Sequence, residues 1–571
     1  MKSWKNAGVE RTAALALAAK IGLPVPMATV LLARGLTDET SIERFLNPRL
    51  SNLSDPFLLP DMRMASDRIW RAIGQKENIA IYGDYDADGV TSTALLTKVI
   101  GRLGGAVAPF LPKRLEEGYG LGKLGIERCI RECKPKLIVT VDCGTNSDAE
   151  IRLAAEQGID VVVTDHHEAA GETKGAVAVV NPTIAPKPAT ADLAGVGVAF
   201  KLCHALVKDG IATGRKEVSG IDLRNHLDLV AIGTVADVAS LVEENRILVR
   251  HGLSRLNLMQ SPGLKALAGV AGIECKMDCY HIGFMIGPRL NAAGRLASAE
   301  SSLKLLLTDD AACAVETAKE LDAANRERKR VEDIIVTEAI EELDTSYDGN
   351  RDYAVVTGRA GWHAGTVGIA ASRLCSRYGR PAFVIAFDES GRGHGSGRSI
   401  EELDLVAVLH KCGDLLVTFG GHKLAAGLVI DQGKFDMFKK RFSELCAEQL
   451  KSLDLRPKQR IDAWLGLGEA DERLLDATDK LQPFGVGNPA PVWAASNVSV
   501  VGQPRILKEK HVKMTLASGG TQMSAIGFNM ADREIPDGPL DIAFHLENNT
   551  YKGQTSLQLN LKDFRAAEGR S

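Results

Sequence analysis

The sequence predicts an α/β protein: a parallel-sheet domain, a second α/β domain joined to it by a long helix, and a β-rich end. Three observations predict this. From residue 77, short β-branched apolar runs alternate with helical segments, the pattern of a doubly wound parallel sheet. From 302 to 343 the chain is charged and helical with few breakers, and it contains Asn325-Arg326-Glu327-Arg328-Lys329-Arg330. Beyond Pro457, five short runs alternate apolar and polar residues (497–503, 511–517, 522–528, 540–548 and 555–563). Five strands at this size suggest an OB-like barrel, with a generic sandwich or small barrel as the alternative.

At 571 residues, and about 100–200 residues per domain, three or four domains are expected. In order these are an N-terminal helical cap (1–75, helices at 9–21, 27–34, 38–45 and 65–73), the parallel-sheet domain (76–300), the connecting helix (301–345), the second α/β domain (346–452) and the barrel (453–571). The first sheet takes strands at 79–82, 107–110, 137–141, 160–164 and 177–180. The intervening helices run over 91–103, 122–132 and 149–156, and helices dominate 195–258. The second α/β block takes strands at 353–357, 382–386 and 426–430. The long helix reads equally as a connector or as an ordinary surface helix.

Composition is that of a globular protein, 45% hydrophobic and 25% charged. A net charge of -4 means that any basic surface for nucleic acid is local. Ten cysteines lack a paired framework. No nearby His or Cys set completes a zinc site at Cys129/Cys133 or Cys275/Cys279, so a reducing, cytoplasmic setting is expected. Met1-Lys2-Ser3-Trp4-Lys5 opens no signal peptide, and Lys20, Pro24 and Pro26 interrupt the first apolar run, so no membrane span is expected.

The chemistry concentrates where strands end. Ile81-Tyr82-Gly83-Asp84-Tyr85-Asp86-Ala87-Asp88-Gly89 places three carboxylates at alternate positions. On extended backbone they would crowd one face, and a hard cation such as Mg²⁺ or Mn²⁺ would relieve their repulsion. Asp142 follows the run 137–141; Asp165, His166 and His167 follow 160–164; Asp237 ends the apolar stretch 229–236. Ligands of open α/β sheets bind outside the carboxyl ends of strands. An Asp-rich set with one or two His suits two cations that activate water for attack on phosphorus. Singly, Asp142 or Asp165 has a helix cap as its lesser alternative.

The motifs Asp84-Tyr85-Asp86-Ala87-Asp88-Gly89, Val141-Asp142-Cys143-Gly144, Asp165-His166-His167 and Asp237, in this order, resemble those of the DHH phosphoesterase superfamily. Arg114-Leu115-Glu116-Glu117-Gly118-Tyr119-Gly120-Leu121 and Gly287-Pro288-Arg289-Leu290-Asn291-Ala292-Ala293-Gly294-Arg295 extend the resemblance. Trp362–Ile369 and Gly393–Ser399 look like the DHH-associated domain. With the strand-rich tail, residues 60–565 are similar to the superfamily's bacterial single-strand-specific exonucleases, which work 5′ to 3′.

The resemblance implies metal ligands Asp86, Asp88, Asp142, His166 and Asp237, with Asp142 bridging two ions, Mn²⁺ or Mg²⁺. Asp88, Asp142, His166 and Asp237 would hold one ion, and Asp86 with Asp142 the other. Asp84 is a possible further ligand, because Tyr82 occupies the position where smaller members often carry a ligand histidine. Catalytic roles fall to His167 and Asp142, with His167 acting on the scissile phosphate. Arg289, Asn291 and Arg295 are expected to line a passage between the two α/β domains, with interdomain salt bridges the alternative for the two arginines. Arg373, Ser396, Arg398 and His422 are expected to grip the strand's 5′ end, the glycine-rich 393–399 being read as a phosphate-binding loop or a plain surface turn. Lys508, Lys510, His511, Lys513 and Tyr551 are candidates for single-strand contact on the barrel. The expected activity is two-metal hydrolysis of single-stranded DNA to 5′-mononucleotides in recombination and repair. The expected partners are single-stranded DNA, a single-strand-binding protein and a RecQ-like helicase. The alternatives are a phosphodiesterase for short oligonucleotides or cyclic dinucleotides, and a non-catalytic single-strand-binding relative.

Overall fold

The computed structural model describes residues 2–568 except Tyr119, Pro188, Ala297, Asn350 and Lys552, with backbone alone at Leu115, Leu296 and Tyr551. Tyr119 of the Arg114–Leu121 motif and the Tyr551 side chain therefore lie outside the described residues. The chain divides into two compact units. One comprises Asp55–Asp237 with Gly252–Leu455; the other comprises residues 2–54, Val238–His251 and Arg456 onward.

The larger unit carries both α/β sheets. Its first sheet is parallel throughout, in the spatial order Ala106–Phe110, Asn78–Gly83, Leu137–Val141, Asp160–Thr164, Ala178–Val180. The order reverses between Asn78–Gly83 and Leu137–Val141, so the crevice for a ligand opens at the carboxyl ends of those two strands. Strand residues 137–141 are wholly buried, as a sheet covered on both faces requires. The helix Ala311–Ser346 has 36 residues, about 54 Å at 1.5 Å rise. Its first half packs on the helices Pro262–Val270 and Gly287–Leu296. Its second half gives Ile335, Val336, Ala339 and Leu343 to the core beneath the second sheet. It is a connector, and residues 308–310 separate it from the shorter helix Glu300–Leu307.

The second sheet has five strands where the sequence suggests three. Arg392–Arg398 and Leu416–His422 are strands, in the order Leu416–His422, Ala425–Asp431, Arg392–Arg398, Ala382–Phe387, Val355–Ala360. The expected glycine-rich phosphate loop is therefore a correction: Gly393–Arg398 is extended backbone in the middle of a sheet. Three alternate glycines conceal the strand by removing its apolar face. A Cβ on Gly393 would lie 2.6 Å from the Phe387 ring, one on Gly395 2.8 Å from Leu428, and one on Gly397 2.4 Å from the Phe383 ring. The aromatic core fills the space that side chains would occupy. Gly397→Ala should lower the melting temperature by a few degrees, through about 1–3 kcal/mol of overpacking. Gly420→Ala, with nothing within 4 Å of its Cβ, is the control expected to melt like wild type.

The smaller unit holds the barrel. Trp493–Leu507, His511–Ser518, Thr521–Gly527, Gln554–Ala566 and Leu540–Tyr551 pair in that order, and Leu540–Tyr551 closes back onto Trp493–Leu507. The N-terminal helices do not form a separate cap reaching to residue 75. Leu17, Met27, Leu31 and Ile42 share one core with Leu474, Trp493, Leu516 and Phe544, and Ser3–Asn6 pairs in parallel with Lys458–Ile461. Met62–Gln75 belongs with the parallel sheet instead. Its Arg68, buried, pairs with Glu77 at 2.7 Å and Asp160 at 2.5 Å.

Candidate active site

The first strand stops at Gly83, because the chain must turn tightly: a Cβ there would lie 1.9 Å from Thr93 Oγ1. Asp86 then caps the helix Ala87–Arg102, its Oδ1 accepting from the amides of Asp88 and Gly89 at 3.0 Å. The three carboxylates therefore do not alternate along extended backbone, which corrects the expected geometry. Asp84 sits in the turn, Asp86 is the cap, and Asp88 lies in the first helical turn. A cap leaves the carboxylate free on its other lone pairs and sets it at the positive end of the helix dipole.

Asp88 faces a second helix start. Its Oδ2 accepts from Gly195 N at 2.7 Å and its Oδ1 from Val196 N at 2.8 Å, which fixes the head of helix Gly195–Ala212. Glycine is required there because a Cβ on Gly195 would lie 2.7 Å from Asp142 Oδ1. Asp142 leaves its strand with φ of +61°, a left-handed conformation costing on the order of 1 kcal/mol for a non-glycine residue. Asp237 closes the helix Leu227–Ala236 at its C-cap rather than ending a strand, a second departure from the strand-end expectation.

These side chains converge. Ligand atoms of Asp88, His166 and Asp237 lie within 4.8 Å of one another, as do those of Asp84, Asp86 and Asp142, and those of Asp142, His166 and His167. His166 Nε2 stands 3.1 Å from Asp142 Oδ1 and 3.8 Å from Asp237 Oδ2. Asp142 belongs to two groups, the position of a bridging carboxylate. Asp84 is fully buried and stands with Asp86 and Asp142 in a group that could hold a metal ion. Tyr82 does not face the cluster. Its ring packs on Phe110 and its hydroxyl donates to Gly120 O at 3.2 Å, inside the sheet's core.

The electrostatics of the cluster favour a bound cation or protonated carboxyls over bare charge. Burial first, then Asp86, pushes the Asp84 carboxyl up to about 8, and the same two causes push Asp237 up to about 7. Burial and the neighbouring carboxylates hold Asp88 and Asp142 well above the usual range. Asp84 Oδ1 and Oδ2, Asp142 Oδ1 and His166 Nε2 are buried without a hydrogen bond of ordinary geometry. Burial and the charge of His167 push His166 down to about 4, so it is the neutral imidazole a metal needs. Hard carboxylate oxygens with one imidazole fit Mn²⁺ or Mg²⁺.

Asp165 has a role the sequence did not assign. It accepts from Thr145 N at 3.0 Å, His166 N at 2.7 Å, His167 N at 3.2 Å and His167 Nδ1 at 2.7 Å. Burial opposes its ionisation, but these bonds hold its carboxyl at about 2. Burial likewise opposes a charged His167, yet the Asp165 hydrogen bond and charge outweigh it and raise the ring to about 9. The place of Asp165, directly before the two histidines at a strand end, was the available signal.

The residues assigned to substrate divide. Asn291 Oδ1 accepts from Ala87 N at 2.6 Å and so supports the Asp86–Asp88 turn itself. Arg289 pairs with Asp322 of the long helix at 2.9 Å and donates to Met285 O, which fits the salt-bridge alternative. Arg295 donates to Gly365 O at 3.4 Å. Burial and the cations Arg114 and Arg328 lower it to about 10. Arg373 pairs with Glu332 at 3.1 Å and Asp333 at 2.5 Å. Ser396 and Arg398 lie together, Arg398 Nη1 donating to Ser396 Oγ at 3.2 Å. A Cβ on Gly368 would lie 3.0 Å from Ser396 Oγ and 3.3 Å from Arg398 Nη2, so both stand over the first turn of helix Val367–Tyr378. Strand register puts His422 in the same cross-strand row as Arg398, through Ala425. Lys508, Lys510 and Lys513 lie at the hairpin of the first two barrel strands, where His511 meets Phe528 edge-on at 5.2 Å.

Comparison with known proteins follows these divisions. Residues 78–234 match the DHH family N-terminal domain, 350–448 the DHHA1 domain and 461–563 the RecJ OB domain. The chain is 36% identical to the single-stranded-DNA-specific exonuclease RecJ of Bacillus subtilis, over 95% of this chain and 68% of that protein. It is 35% identical to the protein of the same name from Escherichia coli, over 94% of this chain and 95% of that one. The crystal structure of Thermus thermophilus RecJ with Mn²⁺ superposes with a TM-score of 0.84 at 30% identity, covering 99% of this chain and 80% of that one.

Proposed function

Because the chain belongs to the RecJ family of single-stranded-DNA-specific exonucleases, we propose that it hydrolyses single-stranded DNA from the 5′ end to 5′-mononucleotides. The observation that carries this reading is the pair of ligand groups sharing Asp142 at the reversal point of the parallel sheet. Asp88, Asp142, His166 and Asp237 would hold one divalent cation, Mn²⁺ or Mg²⁺, and Asp84, Asp86 and Asp142 the other. Bound there, such ions polarise a phosphoryl oxygen and lower the pKa of water. The protein's own groups do the rest. Asp165 fixes His167 with its Nδ1 proton engaged, leaving Nε2 as the ring's remaining donor to a phosphate oxygen whose charge grows during attack. Ser396 and Arg398, beside the start of helix Val367–Tyr378, suit the strand's terminal phosphate, since amides, hydroxyl and guanidinium converge there.

Residues 76–300 would then be the catalytic domain, 346–452 the domain that grips the end, and 453–571 the domain that holds the strand. The substrate implies strand-separating and strand-coating partners, a RecQ-like helicase and a single-strand-binding protein. All ten cysteines are unpaired thiols, and no single helix among the described residues is long and apolar enough to cross a membrane, which supports a cytoplasmic setting.

The test is polarity. With Mn²⁺ and a single strand labelled at its 5′ end, the labelled mononucleotide should be the first product, and the same strand in a blunt duplex should persist. Label retained on long fragments, or release first from the 3′ end, would overturn the proposal. Arg398→Ala should raise KM for a 5′-phosphorylated strand by about tenfold to a hundredfold, in line with a lost charged bond of about 1.5–3 kcal/mol.

A further inference from the structure

Outside this centre, the described residues place a cysteine thiol against a histidine. Cys275 is exposed, and its Sγ lies 3.3 Å from His281 Nε2. The other ring nitrogen, Nδ1, lies 2.6 Å from Asp278 Oδ1. The Asp278 amide is 3.2 Å from the same Nδ1, but the shorter contact to a carboxylate requires the proton on Nδ1. That tautomer leaves Nε2 as an acceptor aimed at the thiol. A nucleophile, a base in hydrogen-bond reach and a third group orienting the base form the arrangement that activates cysteine. Asp278 is itself held, its Oδ1 accepting from His281 N at 3.1 Å, so ring and carboxylate are locked together. Tyr280 meets the imidazole edge-on at 5.8 Å, and Glu274 and Lys276 flank the thiol in sequence. No metal group includes these residues. Burial pushes the neighbouring thiol Cys279 up to about 12.

We propose that Cys275 is a modification site: a surface thiol, activated by His281 and oriented through Asp278, that exchanges with low-molecular-weight disulfides. The Cys275 proton passes to His281 Nε2 as the thiolate attacks one sulfur of the disulfide. A new S–S bond forms, the old one breaks, and the departing thiolate takes the proton back from the imidazolium. Cys275 is oxidised to a mixed disulfide and one half of the reagent is reduced to a thiol. The site stands at the head of a continuous helical run, Cys279–His281, Ile282–Ile286 and Gly287–Leu296, whose last helix carries Asn291, the acceptor for Ala87 N in the Asp86–Asp88 turn.

The test uses the full-length protein and oxidised glutathione, read by intact mass and peptide mapping. Of the ten thiols, Cys275 should take the first adduct at pH 7, at least about tenfold faster than an unactivated thiol, of which only a few per cent is thiolate. Cys275→Ser should remove that fast adduct and leave exonuclease activity unchanged. His281→Ala should slow it about tenfold, and added imidazole should restore the rate, which a merely structural role for the ring would not allow. Asp278→Asn, which can keep the helix cap, should slow it less. First modification at Cys313 or Cys133, or a rate indifferent to His281→Ala, would overturn the proposal.

Discussion

Asp142→Asn should yield a protein that melts higher than wild type in EDTA, gains little from Mn²⁺, and has lost about three orders of magnitude or more of its exonuclease rate. Asp142 is buried among Asp84, Asp86, Asp88 and Asp237 and belongs to both ligand groups sharing its carboxylate. Without metal, that buried cluster destabilises the fold. A carboxyl whose folded pKa is raised subtracts stability at every pH above its unfolded pKa, neutral pH included. Asparagine removes the charge and accepts the φ of +61° that Asp142 adopts. With metal present the sign reverses, because wild type gains roughly 4 kcal/mol at a thousandfold excess over Kd and the variant does not. A rate loss of three orders of magnitude corresponds to about 4 kcal/mol of transition-state stabilisation. Thermal melts with EDTA and with Mn²⁺, beside nucleotide release, check all three outcomes. A variant that melts like wild type in both buffers would remove Asp142 from the centre.

Asp165→Asn should separate metal binding from catalysis. Asp165 belongs to none of the ligand groups; it holds the backbone of His166 and His167 and the Nδ1 of His167. Asparagine keeps one accepting oxygen but loses the charge that makes His167 a cation near neutral pH. The rate should fall by about 10²–10⁴, the range seen when a catalytic histidine loses its orienting carboxylate. Mn²⁺ affinity, measured by calorimetry, should stay within about tenfold. Parallel loss of affinity and rate would make Asp165 a ligand rather than an orienter.

What the sequence disclosed and what it hid have distinct causes. The acidic and imidazole residues that converge, Asp84, Asp86, Asp88, Asp142, His166, His167 and Asp237, stood out in the sequence because they fall where apolar runs stop, and the resemblance narrowed them to a candidate ligand set. Their geometry was less legible. Period-two spacing in Asp84-Tyr85-Asp86-Ala87-Asp88 suggested extended chain, but the cap at Asp86 turns the backbone helical one residue later. Gly393, Gly395 and Gly397 defeated pattern reading for a different reason. A strand is recognised by its apolar face, and here that face belongs to Phe383, Ile385, Phe387 and Leu428 of the flanking strands. Arg289 and Asn291 were expected from the resemblance to line a passage, and Arg373 to grip the strand's end. Their partners Asp322, Ala87 and Glu332 are distant in sequence, and only tertiary packing assigns them. The N-terminal helices had the right periodicity but the wrong neighbour, since nothing local to residues 11–46 specifies a core some 430 residues downstream.

That shared core has a consequence in time. During synthesis Leu17, Met27 and Leu31 emerge first, and their packing partners Leu474, Trp493 and Phe544 emerge among the last. At roughly 5–20 residues per second, the first helices wait on the order of half a minute, apolar faces uncovered, while the unit that carries both α/β sheets is made and folds ahead of them. The N-terminal helices are then among the last parts of the chain to be secured, and during that interval they are the segment most in need of a chaperone.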